Sequence, residues 1–145
     1  MKKKICGILL VFIIIIFTFV ENNLTTTLKF MNMKRIAIGR SLVDFSLKGE
    51  VIIFDDNEVI SLDKIRGKIL VMHSPSPEIV IYMNDVIAVI TETGGVLCHA
   101  AVLALELDCP IIVGTEKIIS KVKNGDKIEL ISKQGIGEIY EADIS

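Results

Sequence analysis

The sequence predicts a compact mixed α/β domain preceded by an N-terminal apolar helix. Three observations lead there. The chain has 145 residues, about one domain's worth. After residue 33 it reads as strand-rich at both ends with a strand-helix-strand unit between them, a pattern of mixed α/β domains. Ahead of that lies a basic start, Met1-Lys2-Lys3-Lys4, and an almost unbroken aliphatic and aromatic run, Ile5 to Val20. The chain therefore divides into residues 1–33, an apolar segment with a linker, and residues 34–145, the folded domain.

At about 16 residues, the apolar run is near the upper limit of a signal-peptide core and just short of a comfortable membrane span. No small-x-small cleavage site follows it, so a signal anchor fits better than a cleaved signal. The positive-inside rule would then put Lys2, Lys3 and Lys4 in the cytoplasm. Lys29, Lys34 and Arg35 on the far side weaken that orientation. A competing reading starts translation at Met31 or Met33, which makes residues 1–30 an extension of the gene model or an optional anchor. Residues 21–33 are polar and rich in Thr and Asn, and are expected as a linker.

The remaining elements follow in order. Ile36–Ile38 and Val51–Phe54 read as short strands, and Asp55-Asp56-Asn57 as a turn. Lys68–Met72 is a buried strand. Ser74-Pro75-Ser76-Pro77 turns the chain into a helix over Glu78–Met83, with Ser76 as its cap. Asp85–Ile90 is the most hydrophobic strand and is expected at the centre of the sheet. A Gly94-Gly95 loop leads to a helix from His99 to Leu107, built mostly of good helix formers. Asp108 stands where a helix stops on a residue that tolerates positive φ. Pro110 prevents continuation, and Ile111–Val113 is a short strand ending at Gly114. Thr115 is expected to cap a short helix over Glu116–Ser120. Asn124-Gly125 is a tight turn, and Lys127–Ile131 with Gly137–Tyr140 form a final hairpin around Gly135.

Composition excludes several classes. The net charge of −2 and the lack of aromatic-basic interleaving leave no footprint for nucleic acid. Three cysteines, Cys6, Cys98 and Cys109, are an odd number spaced far apart. They suggest neither a disulfide framework nor a zinc site. The acidic turn Asp55, Asp56 and Glu58 is better read as a turn than as a metal site. His73 ends a strand at a turn, where a surface role is expected. Lys117, Lys121 and Lys123 look like a solvated face.

The stretch Thr91-Glu92-Thr93-Gly94-Gly95-Val96-Leu97-Cys98-His99-Ala100-Ala101 carries the chemistry. Glycines let the backbone approach a bulky anion without Cβ clashes. Amides at a helix start can donate to phosphate oxygens. Thr91 and Thr93 add hydroxyls, and Ala100 and Ala101 leave room for a partner to reach the ring. An imidazole at that position is a nucleophile suited to carrying a phosphoryl group. On spacing alone a lone histidine at a helix start is more often structural.

This stretch resembles the phosphohistidine signature of the PEP-utilising enzyme mobile domain. That is the swivelling β/β/α domain of phosphoenolpyruvate synthase, pyruvate phosphate dikinase and the rifampicin phosphotransferases. The family pattern runs T-x-x-G-G-x-x-[SC]-H-A-A-x-x-A-R-E-x-G-x-P-x-x-V-G. Thr91, Gly94, Gly95, Cys98, His99, Ala100, Ala101, Ala104, Glu106, Pro110, Val113 and Gly114 match it. The similarity reaches from Gly67 to about Tyr140. It implies that His99 is the phosphoryl-accepting nucleophile, with Thr91, Thr93, Gly94, Gly95 and Cys98 shaping its loop. It also implies that ATP and Mg sit on a separate ATP-grasp-type nucleotide-binding partner. The phosphoryl group then passes to a PEP- or pyruvate-binding protein or another acceptor. A cytoplasmic location follows, because ATP-type donors lie there, with a membrane tether through residues 5–20 as an option.

Two departures stand out. The arginine after Ala104 is replaced by Leu105, and the helix-closing glycine by Asp108. The chain offers no P-loop and no room for companion domains, so it is expected to be a phosphotransferase component that is not autonomous. The alternative is a non-catalytic remnant or regulatory binding module that keeps the fold.

Overall fold

The computed structural model describes residues 2–142, without the side chains of residues 2–6, Thr26 and Phe30. Met1, the side chains of the basic start and that of Cys6 thus lie outside the described residues. The chain falls into two compact units, Met1–Met33 and Lys34–Ser145.

The first unit is one helix, α1, over Lys2–Asn32. It does not stop at Val20. Residues 21–32, expected as a linker, continue it. The hydroxyls of Thr18 and Thr25 donate back to the carbonyls of Ile14 and Glu21, both at 2.8 Å, so these polar residues satisfy themselves on the helix instead of breaking it. Gly7–Lys29 has a mean hydropathy of 2.2 over 23 residues. At about 1.5 Å per residue that is roughly 35 Å, long and apolar enough to cross a membrane.

The second unit is a seven-stranded sheet with four short helices. In chain order the elements are β1 (Arg35–Arg40), β2 (Phe45–Ile53), α2 (Leu62–Ile65), β3 (Ile69–Met72), α3 (Ile79–Met83), β4 (Ala88–Thr91), α4 (His99–Glu106), β5 (Ile111–Ile112), α5 (Ile118–Lys121), β6 (Lys127–Lys133) and β7 (Ile136–Glu141). The strand order is β1-β7-β6-β2-β3-β4-β5. One half is antiparallel, the other parallel, and β2 joins them. Its residues Phe45–Glu50 pair antiparallel with β6, and Val51–Ile53 pair parallel with β3.

The two outer strands meet. Arg40 and Val113 exchange both backbone hydrogen bonds, at 2.8 and 2.9 Å, so the sheet curls back on itself. Gly39 and Gly137 are register partners, and a Cβ on either would come within 2.7 Å of Ile112 side-chain carbons. Their missing side chains make the notch that Ile112 fills.

Curling gives two cores. Ile69, Val71, Ala88, Ile90 and Ile112 point inward to meet Ile128, Leu130 and Ile139. Their neighbours Leu70, Met72, Val89, Ile111 and Val113 point outward under α3 and α4, against Ile79, Met83, Ala100, Ala101 and Ala104. Both faces of the parallel strands are buried, which is why they read as continuous apolar runs. The antiparallel strand β6 instead alternates exposed and buried residues.

Four local expectations change. Ser76 does not cap α3: its hydroxyl is buried without a partner, and its carbonyl accepts from Ile79 at 3.1 Å. The strand expected over Asp85–Ile90 starts at Ala88, and β4 lies one strand from the β5 edge, not at the sheet's centre. Its hydrophobicity reflects burial on two faces, which any interior parallel strand shares. Thr115 does not cap a helix. Its hydroxyl donates to the Thr91 carbonyl, and α5 begins at Ile118 after two positive-φ residues, Glu116 and Lys117. Finally, β2 begins at Phe45, well before Val51.

Candidate functional site

The site sits where β4 ends and α4 begins, at the C-terminal end of the parallel strands. The first turn of α4 starts at His99, with Cys98 in extended conformation before it. The helix holds its place by burying Ala100, Ala101 and Ala104, whose small side chains let it lie close on the strands. It ends in paired closing bonds. Cys109 N–H donates to the Ala104 carbonyl at 2.8 Å and Asp108 N–H to that of Leu105 at 3.3 Å, with Asp108 at φ 55°. Asp108 thus takes the left-handed position that glycine usually fills.

His99 is exposed, and its ring has no hydrogen-bond or ionic partner among the described residues. Around it the backbone is unspent. Cys98 N–H donates to the Gly95 carbonyl at 2.9 Å, but the amides of Gly94, Gly95, Val96, Leu97, His99 and Ala100 have no acceptor among the described residues. Unspent amides at a helix start carry partial positive charge and favour a nearby anion.

The threonines serve the loop from below. Thr91 is fully buried, and its single hydroxyl hydrogen goes to the Thr93 carbonyl at 2.7 Å. Its own carbonyl accepts from both the amide and the hydroxyl of Thr115, at 3.1 and 2.8 Å. The Thr93 hydroxyl donates to the His73 carbonyl at 3.1 Å. Neither hydroxyl is a spare donor, because each proton already has a backbone acceptor.

The two glycines differ. Gly94 has φ 104°, a region side chains avoid, and an added Cβ would sit 3.5 Å from Cys98 Sγ and 3.6 Å from Pro75. Gly95 has ordinary φ and open space around it. A cavity of about 170 Å³ opens beside the ring, lined by Pro75, Ser76, Ile79, Cys98, His99 and Leu103. The partnerless Ser76 hydroxyl belongs to this group. Cys98 is a half-buried free thiol.

Glu92 is the residue the sequence reading passed over. Met72 and Thr91 are register partners on β3 and β4, so the next residues, His73 and Glu92, meet. His73 Nδ1 lies 2.6 Å from Glu92 Oε2, and Glu92 Oε1 accepts from the Ile119 amide at 2.9 Å. Burial alone would raise the Glu92 carboxyl. The His73 hydrogen bond, the Ile119 amide and the His73 charge together outweigh burial and hold it below its ordinary value. Only strand register reveals this pair, and register is not written in either segment alone. Elsewhere, Asp55 Oδ1 accepts from the Asn57 backbone and side chain, as a turn aspartate does. No group of three or more His, Cys, Asp or Glu among the described residues is arranged around a metal.

The chain is 37% identical over 87 residues to a probable phosphoenolpyruvate synthase of Pyrococcus abyssi, covering 59% of this chain and 10% of that protein. It is 36% identical over 87 residues to the phosphoenolpyruvate synthase of Pyrococcus furiosus, with the same 59% and 10% coverage. The chain therefore spans about a tenth of the length of these curated relatives. A solution structure of a UPF0107 protein shares the fold, with a TM-score of 0.53 and 18% identity over 73% of this chain and 98% of that one. The family described as PEP-utilising enzyme, mobile domain, matches residues 63–135, which hold the whole histidine loop, the parallel strands β3, β4 and β5 beneath it and the helix behind it, and this chain belongs to that family.

Proposed function

We propose that this chain is a phosphohistidine domain that carries a phosphoryl group on His99. The donor side is a separate ATP-grasp-type protein holding ATP and Mg. The acceptor side is a protein that binds PEP, pyruvate or another acceptor. The observation that carries the reading is the exposed, untethered imidazole at the first turn of α4, in a loop and helix start that hold six unspent amides. The ring nitrogen supplies the lone pair that bonds phosphorus, and the amides receive the phosphoryl oxygens. Such transfer depends on positioning and charge stabilisation more than on further covalent chemistry. The relatives' names, phosphoenolpyruvate synthases, support pyruvate as an acceptor. The helix over Gly7–Lys29 would tether the domain at a membrane, on the cytoplasmic side where nucleotide donors are found.

The test is intact mass and site mapping at alkaline pH, where phosphohistidine survives. The full chain, incubated with labelled ATP and lysate of its source organism, should gain one acid-labile phosphoryl group that maps to His99. Absence of label from His99 overturns the reading.

One observation favours a second reading, a binding module that no longer turns over phosphate. Leu105 stands where the family has arginine, and it is 53% exposed on α4, one turn from the exposed Val102. An apolar helix face in place of a cation suits docking better than phosphate contact. If the wild-type chain takes no label but Leu105→Arg does, the remnant reading replaces the carrier.

A further inference from the structure

We propose that His73 is a second phosphoryl-accepting residue, taking the group on Nε2 while Glu92 holds the other side of its ring. His73 and Glu92 follow adjacent parallel strands and meet at the same sheet end as His99. The residue is held at two points, its backbone by Thr93 and its ring by Glu92. The His73 backbone carbonyl accepts from the Thr93 amide, at 3.0 Å, and from the Thr93 hydroxyl, at 3.1 Å. The ring Nδ1 contacts Glu92 at 2.6 Å, and that carboxylate is itself anchored by the Ile119 amide. The partners are exposed very unequally: the Glu92 side chain is 12% exposed and that of His73 69%. A largely covered, anchored carboxylate thus orients an imidazole that faces outward.

This geometry sets the chemistry. A carboxylate accepts and does not donate, so the Nδ1 position carries the proton and the Nε2 lone pair of the neutral ring points away. A nucleophile held by an orienting group, itself held by a third, is the general form of an activated side chain. In the step, Nε2 forms a bond to phosphorus and the P–N bond of a phosphoramidate-class donor breaks. The electron pair of that bond returns to the donor nitrogen, which takes a proton from solvent. Nothing is oxidised or reduced. As the bond forms, the His73 ring becomes cationic, and the adjacent Glu92 carboxylate stabilises the charge where it develops. A phosphohistidine on a neighbouring site is such a donor. Only that source rests on the reading of His99 as a carrier. The reactivity of His73 does not.

The experiment uses the full chain in detergent with potassium phosphoramidate as donor, read by alkaline mass spectrometry and by NMR assignment of the phosphohistidine isomer. The His99→Ala chain should gain one phosphoryl group, on Nε2 of His73. Glu92→Gln in that background should slow it by roughly tenfold or more. The glutamine can still accept from Ile119, but its amide donates to Nδ1 and forces the proton onto Nε2. Unfolding in urea should slow labelling to a similar degree. No label on His99→Ala, label on Nδ1, or a rate indifferent to both Glu92→Gln and urea overturns the proposal. The His73→Ala chain reports His99 separately, so the two readings fail independently.

Discussion

A Cβ placed on Gly114 would stand 3.1 Å from the carbonyl oxygen of Gly94. A residue two positions past β5 therefore backs the turn of the histidine loop, some twenty positions earlier. Gly114 also has φ 68°, so a side chain there is strained twice. Gly114→Ala should cost about 1–3 kcal/mol. It should also displace the Gly94 turn and reduce His99 labelling. Urea unfolding and alkaline mass mapping on the same samples check both effects.

The paired glycines of the loop should separate in the same assay. Gly94→Ala meets a φ of 104° and should lose about 1–2 kcal/mol. Gly95→Ala meets nothing within 4 Å and should stay within about 0.5 kcal/mol of wild type. Any loss of labelling in Gly95→Ala then reports crowding of the phosphoryl group and not damage to the fold. Equal destabilisation of both variants would contradict the geometry.

Thr91 should behave as a structural residue. Its buried hydroxyl is the donor to the Thr93 carbonyl. Thr91→Val keeps the shape and removes that proton, leaving a carbonyl short of a donor at about 1–3 kcal/mol. Thr91→Ser keeps the bond and should cost less. Denaturation midpoints of the two variants should fall in that order.

The turn and helix start of the histidine loop could be read from the sequence because they are set locally. Glycines and small alanines within a dozen residues specify turn, helix start and packing face together. The Asp108 stop is equally local, since its φ of 55° closes α4 through bonds to residues three and five back. What escaped the sequence is set by distant partners. Glu92 gains its role from a histidine just past the end of another strand, through the Met72–Thr91 register. Thr115 looks like a helix cap until its hydroxyl finds the Thr91 carbonyl 24 residues away. The position of β4 in the sheet also escaped, because hydrophobicity reports burial and not strand order. Residues 21–32 misled for another reason: threonine and asparagine read as linker unless the hydroxyls bond back along the helix, as Thr25 does.

The Glu92 carboxyl sits below its ordinary value of 4.5 in the folded chain. A lowered carboxyl stabilises the fold above its unfolded value, and that contribution is lost as pH falls through the folded value. Glu92→Gln should therefore be less stable than wild type near neutrality. The gap between the two should narrow as pH drops from about 6 to about 3. Thermal melts of both proteins across that range check it, and a gap that widens toward acid would mean the sign is wrong.

The last expectation concerns the two thiols near α4. Cys109 is buried at the end of the helix, and burial pushes its thiol from 9.0 up to about 11. At mildly alkaline pH it therefore holds about a hundredfold less thiolate than an ordinary cysteine. Cys98 is half-buried and lines the cavity beside His99. In a Cys6→Ser background, iodoacetamide should alkylate Cys98 and spare Cys109 until the fold is opened with urea. The added group should occupy the cavity next to the ring and lower His99 labelling. Cys98→Ser, which keeps a small side chain there, should label normally and resist the reagent. Alkylated protein that still labels at the full rate would show that the phosphoryl group approaches His99 from the side away from Pro75 and Leu103.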